Sequence, residues 1–176
     1  NLLGGLFQSR LNHNIREVKG YSYGVNSQFQ FGRGPGAFRA GGGIITEKTD
    51  SALIEFVREF NGVEGEVPCT DDKILQGKES LIQSLPRRFS SVNGIGGSVA
   101  GIYTQDLPEQ FYQEFPAKIN AVSRDDLVRV AKKYVDLAHL NIIVVGDKDV
   151  VQGPLAKTGI APVVTLDIDG RVVPIP

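Results

Sequence analysis

The chain has 176 residues, a formal net charge of −1 and no basic run. The length fits one domain spanning 1–176, and at this size ~70% of the unfolded surface can be buried, so neither a metal nor a disulfide staple is needed for folding. The charge excludes a nucleic-acid surface as the main partner, and no apolar run approaches the ~18–20 residues of a membrane span.

The first element is an amphipathic helix from Asn1 to Lys19. Leu3, Phe7, Leu11 and Ile15 recur at four-residue intervals, with Leu2 and Leu6 alongside. Gly20 closes it, where a left-handed residue usually ends a helix. Arg16 lies in its last turn, off the Leu3–Leu11 stripe. A strand follows. From Tyr21 to Phe31 the odd positions carry Tyr, Tyr, Val, Ser, Phe and Phe, which is the alternation of a half-buried strand and puts Tyr21 and Tyr23 on one face. A helix ending in Arg16 and a strand beginning with Tyr21 and Tyr23 meet at one corner.

Gly32 to Gly36 is a turn and Ala37 to Thr46 the return strand of an antiparallel hairpin. Gly41-Gly42-Gly43 inside it marks a bulge or a close backbone approach. Thr49-Asp50 starts a helix with Leu53, Val57 and Phe60 on one stripe, stopped at Asn61-Gly62. Thr70 caps the next, with Asp71 and Asp72 at its positive end, and Pro86 ends it. Ser90 to Thr104 reads as a helix, kinked or closely packed at Gly94, Gly96 and Gly97. Pro108 opens a helix bearing Phe111 and Phe115, and Ser123 with Asp126 forms a capping box for one bearing Leu127, Val130, Ala131 and Tyr134. Leu140–Val145 is a β-branched strand stopped by Gly146-Asp147, and Val163–Ile168 a last strand before a turn at Asp169-Gly170. The sum is α+β: a mainly antiparallel sheet with helices packed on one face.

Catalytic residues are scarce. A catalytic zinc site needs three protein ligands and an open position. The chain has two histidines, His13 and His139, far apart, and one cysteine, Cys69. Neither Gly32–Gly36 nor Gly94–Gly97 is followed by the Lys-Ser/Thr of a phosphate loop. Asp167-x-Asp169-Gly170 resembles the start of a calcium loop but lacks the closing Glu, so a turn is the reading. Ser9, Asp125 and Asp126 carry little weight as parts of a nucleophilic triad.

Leu3-Gly4-Gly5-x-Phe7-x-Ser9-Arg10-Leu11, followed by Arg16-Glu17-x-x-Gly20-Tyr21-x-Tyr23-Gly24, resembles the pitrilysin and mitochondrial-processing-peptidase family of zinc peptidases. Within that family it is similar to the non-catalytic, C-terminal-type domain or partner subunit of bacterial members. Weaker similarity runs through Asp106-Leu107-Pro108, Ile119–Ser123, Val144–Asp147 and Asp167–Gly170. The resemblance implies a processing-peptidase-like metallohydrolase fold and an N-terminally truncated piece, with a strand or two and a helix upstream of Asn1. The family's catalytic domain carries H-x-x-E-H on a helix, and this chain does not. The implied cofactor is therefore none in this chain and zinc in a catalytic partner domain or subunit, with a peptide as substrate.

The resemblance further implies a role for Arg16 and Tyr23, which approach the scissile carbonyl at the partner's zinc site. Attack on that carbonyl builds negative charge on its oxygen, and a guanidinium and a phenol are fixed donors for it. The plainer reading is that Arg16 complements a helix C-terminus and Tyr23 packs in the core. Tyr21, on the same face, is the rival for the phenol. Three functions stand side by side. They are an accessory domain forming half of a peptide chamber that clamps substrate along a sheet edge, a scaffold subunit without peptidase activity, and a free-standing enzyme, which lacks a complete catalytic set. Bacterial periplasm and cytoplasm both remain open as the compartment.

Overall fold

The computed structural model describes residues 2–5, 9–63 and 70–173. Its class is α+β, with six α-helices, one π-helix and an antiparallel pair of strands among the described residues. Phe7, Leu6 and Cys69 lie outside them.

Among the described residues the amphipathic N-terminal helix forms only from Arg10 onward. Residues 2–5 make a turn, and helical backbone begins at Arg10 and continues as the π-helix Asn12–Val18. The two glycines explain the difference. They weaken a helix here, and the Gly4 carbonyl accepts the Ser27 N–H at 2.9 Å instead of serving a helical turn. A Cβ on Gly4 would lie 2.5 Å from the Ser27 nitrogen, so only glycine allows this approach. The apolar stripe still does its work: Leu11 and Ile15 are fully buried and Leu3 nearly so. Gly20 closes the helix at φ 65°, as the sequence predicts.

Strands β1 (Ser22–Phe29) and β2 (Phe38–Ile44) form the predicted hairpin. The core joins Leu3, Leu11, Ile15, Val25, Phe60 and Val135, with Tyr21, Phe38 and Phe56 packed against it. It is the apolar side of the hairpin closed by the π-helix and by α1 (Thr49–Asn61).

Helix α2 spans Asp71–Arg88 under the predicted Thr70 cap, but runs two residues past Pro86, which occupies its last turn. Helix α3 (Val92–Thr104) starts from a Ser91 cap, and its glycines divide. Gly94 lies so close to the Arg88 carbonyl that a Cβ would clash, while Gly96 and Gly97 have open space. Helix α4 is Phe111–Ala121, with the Phe111 and Phe115 rings 5.9 Å apart. Helix α5 (Arg124–Tyr134) has the complete Ser123/Asp126 capping box. α2 packs on α3 and α4.

The sheet is narrower than the sequence predicts. Asn141–Val145 is no strand, and Ile143 and Val145 are 86% and 95% exposed. A β-branched run favours extended backbone, but a strand also needs a neighbouring edge, and no other described segment pairs with this one. The predicted strand Val163–Ile168 reduces to one bridge, Leu166 with Val172, around the turn at Asp169-Gly170. A helix absent from the sequence reading, α6 (Lys148–Lys157), starts from Asp147, whose carboxylate accepts the Asp149 N–H, and packs on α1. Gly153 and Pro154 inside it mask its helical pattern.

Candidate functional site

The corner between the π-helix and β1 brings Arg16 and Tyr23 together. The Arg16 guanidinium carbon stands over the Tyr23 ring, 5.4 Å from its centroid. Arg16 is partly exposed and its Nε lies 3.5 Å from the Glu17 carboxylate. Tyr23 is 93% exposed, so it does not pack in the core.

A bulge turns Tyr23 outward. Ser22 pairs with Ile44 and Gly24 with Gly43, so β1 carries one extra residue, Tyr23, at that point. Below the bulge Val25 and Ser27 point inward, and above it Ser22 does. Tyr21, which precedes β1, and Tyr23 stand in different surroundings. Tyr21 packs against the core with Lys48 Nζ 5.9 Å from its ring centre, and it is no rival for the exposed position. Gly42 on β2 admits the bulge: a Cβ there would lie 2.3 Å from the Gly24 carbonyl oxygen, whereas Gly41 and Gly43 have open space.

Side chains take up the backbone groups the bulge displaces. The Ser22 hydroxyl accepts the Gly24 N–H at 3.0 Å and donates to the Gly43 carbonyl at 2.6 Å. The buried Asn12 side-chain oxygen accepts the Val25 N–H at 2.9 Å.

An ionic network on the other side of the π-helix holds it to α1. Arg10 Nε donates to Glu59 at 2.9 Å. Asn14 Nδ2 donates to Glu55 at 2.7 Å and to Glu59 at 2.8 Å. Lys19 Nζ lies 3.2 Å from Glu55, and Arg58 3.7 Å. Burial pushes the Glu55 carboxyl up, but the bonds from Asn14 and Lys19 and the charges of Lys19 and Arg58 outweigh it, leaving the group below its ordinary value. These contacts flank Arg16 on both sides in sequence and fix the helix that carries it.

Sequence reasoning missed Asn12, Asn14, Glu55 and Glu59. The legible signal is Glu55 itself, on the inner side of an amphipathic helix between Ala52 and Phe60, both buried. A carboxylate there requires partners, and Arg10, Asn14 and Lys19 are the polar residues of the neighbouring element.

The histidines do not meet. His13 is exposed on the π-helix. His139 sits in a short turn, Leu137–His139, with Nδ1 2.7 Å from the Asp136 carboxylate. Among the described residues no group of three or more His, Cys, Asp or Glu is arranged to hold a metal ion. Asp167 accepts the Asp169 and Arg171 N–H groups, the pattern of a turn. Ser9 is buried, and no described residue hydrogen-bonds its hydroxyl.

No family model and no curated protein matches the chain. Solved structures do. The peptidase M16 inactive domain from Pseudomonas fluorescens is similar at 22% identity and a TM-score of 0.68, over 77% of this chain and 32% of that one. A protease from Helicobacter pylori is similar at 19% identity and a TM-score of 0.64, over 77% and 32%. A conserved protein from Enterococcus faecalis V583 is similar at 21% identity and a TM-score of 0.62, over 75% and 30%. The chain spans about a third of the length of each. At these identities the likeness is one of fold alone.

Proposed function

We propose that this chain is a non-catalytic domain of a zinc metalloendopeptidase of the pitrilysin and processing-peptidase family, forming half of a peptide chamber. A catalytic domain or subunit of the same family supplies the other half. Zinc in that partner would supply the activated water and polarise the scissile carbonyl. Arg16 and Tyr23 contribute hydrogen-bond donors to the carbonyl oxygen as it gains negative charge.

The observation that carries this reading is the outward Tyr23. Burying a tyrosine ring is favourable, and the alternating pattern of β1 would bury this one. The bulge instead presents the phenol to solvent beside a guanidinium. Bulges that redirect a side chain concentrate next to active sites. The π-helix supports the same reading, since such helices also concentrate at functional sites.

The test is turnover of a peptide by the catalytic partner combined with this chain. Tyr23→Phe removes the phenolic donor and keeps the ring. Arg16→Ala removes the charge. Each is expected to lower kcat by ~10²–10³-fold, the effect of losing one oxyanion donor. KM should change less than kcat, and the melting temperature should hardly move. Tyr21→Phe is the control and should be milder. Intact turnover in both Arg16→Ala and Tyr23→Phe, with lowered stability, would refute the reading and leave a scaffold subunit.

A further inference from the structure

We propose that Asn12 is a positioning residue for Tyr23: its side-chain oxygen holds the Val25 N–H beside the bulge and thereby fixes the backbone that aims the phenol at Arg16. The functional weight of this proposal rests on the reading of Arg16 and Tyr23 given above; its geometry does not.

Strand β1 has two edges. Asn26, Gln28 and Gly24 face Gly41, Arg39 and Gly43 across the ladder. The N–H groups of Val25 and Ser27 point to the opposite edge, where no strand lies among the described residues. The Gly4 carbonyl takes the Ser27 N–H, and Asn12 takes the Val25 N–H in a buried bond. A buried backbone N–H without a partner is strongly disfavoured, so β1 can run this way only with an acceptor at that point. Asn12 supplies it two residues after the bulged Tyr23.

The same helix connects both members of the pair. Asn12 and Arg16 are four residues apart on the π-helix and turn toward β1. Asn14, between them, turns toward Glu55 and Glu59 of α1. Asn12 thus references Tyr23 to the element that carries Arg16, so the guanidinium and the phenol move together. A backbone ladder bond from a third strand would satisfy Val25 equally well without linking Tyr23 to Arg16.

The test compares three versions of the full chain. A ring current shifts protons above the ring face upfield, so the Arg16 side-chain protons report the stacking on Tyr23. In Asn12→Ala that upfield shift should be lost and the Val25 amide should exchange faster. In Asn12→Asp, which keeps the acceptor, most of both should return. With the catalytic partner, kcat should fall in Asn12→Ala by a factor approaching that of Tyr23→Phe, with KM nearly constant, and recover in Asn12→Asp. A retained upfield shift in Asn12→Ala overturns the proposal, and so does an equal loss in Asn12→Asp. Where Asn12→Ala does not fold, the wild-type chain decides: a Val25 amide that exchanges as fast as an exposed edge amide overturns it. Should Tyr23→Phe leave turnover intact, the functional reading fails while the ring-current comparison still decides the positioning role.

Discussion

Replacing Glu55 by alanine isolates the contact that holds the π-helix to α1. Glu55 is 8% exposed and accepts from Asn14 at 2.7 Å and Lys19 at 3.2 Å. In Glu55→Ala the Asn14 amide keeps its bond to Glu59, and Lys19, already one-third exposed, returns to water. What is lost is the charge-assisted bonding to a buried acceptor, ~1.5–3 kcal/mol by the usual scale, so ~2–3 kcal/mol is the expected cost with the small void included. At ~2–4 °C per kcal/mol for a chain of this size, the melting temperature should fall by about 4–12 °C. Arg58→Ala removes the exposed partner at 3.7 Å and should cost only ~0–0.5 kcal/mol. Thermal melts followed by far-UV circular dichroism make the comparison. The pH dependence is a second check. Glu55 is held below its ordinary value of 4.5, so its contribution is complete above that pH and is lost as the pH falls through the folded value. Wild-type and Glu55→Ala melting curves should therefore converge in acid and stay apart at neutrality. A Glu55→Ala protein that melts with Arg58→Ala, or a gap that persists in acid, would refute the reasoning.

Gly42→Ala should destabilise by ~1–3 kcal/mol, because its Cβ would meet the Gly24 carbonyl at 2.3 Å, whereas Gly41→Ala, with open space, should not; urea denaturation separates them. The Ser123 backbone and hydroxyl, then Arg129, hold Asp126 down to about 2, so the α5 capping box should persist in mild acid and loosen only as the pH falls through that value, read from the amide shifts of Ser123 and Asp126. Chain purified without a metal-binding tag should contain far less than one zinc per molecule by elemental analysis, and full occupancy would refute the ligand argument. Ile143 and Val145 stand exposed on a segment outside the described strands, so the isolated chain should self-associate with concentration and Val145→Lys should reduce this; a strict monomer in sedimentation would count against the exposed apolar patch.

The hairpin, α1, the Thr70 and Ser123 caps and the Gly20 terminus were legible because each depends on local chemistry: alternation, a side-chain oxygen before a helix, a residue free to adopt positive φ. The run Leu140–Val145 misled for the opposite reason. Its β-branched residues set a backbone preference, while strand formation depends on a second segment. The N-terminal helix misled at Gly4, where a carbonyl has two uses and a tertiary contact with Ser27 wins. The Arg16–Tyr23 corner was visible as a helix end meeting a strand start. The orientation of Tyr23 was not, because period-two alternation assumes an unbroken ladder. One extra residue breaks that alternation at Tyr23.

The bulge leaves in different surroundings two tyrosines that the sequence treats as equivalent. Tyr21 and Tyr23 have the same chemistry and the expected same-face spacing, yet one joins the core and the other faces solvent. The difference resides in a glycine, Gly42, that admits the Gly24 carbonyl, a serine that bonds two backbone groups, and an asparagine from another element. None of these side chains need touch a substrate. They act on the backbone, and the backbone decides which phenol stands beside Arg16. A substitution at any of them should therefore change the Arg16–Tyr23 geometry before it changes the composition of the site. Tyr21 has its own place in the core, so it has no route to replace Tyr23 when the bulge is lost.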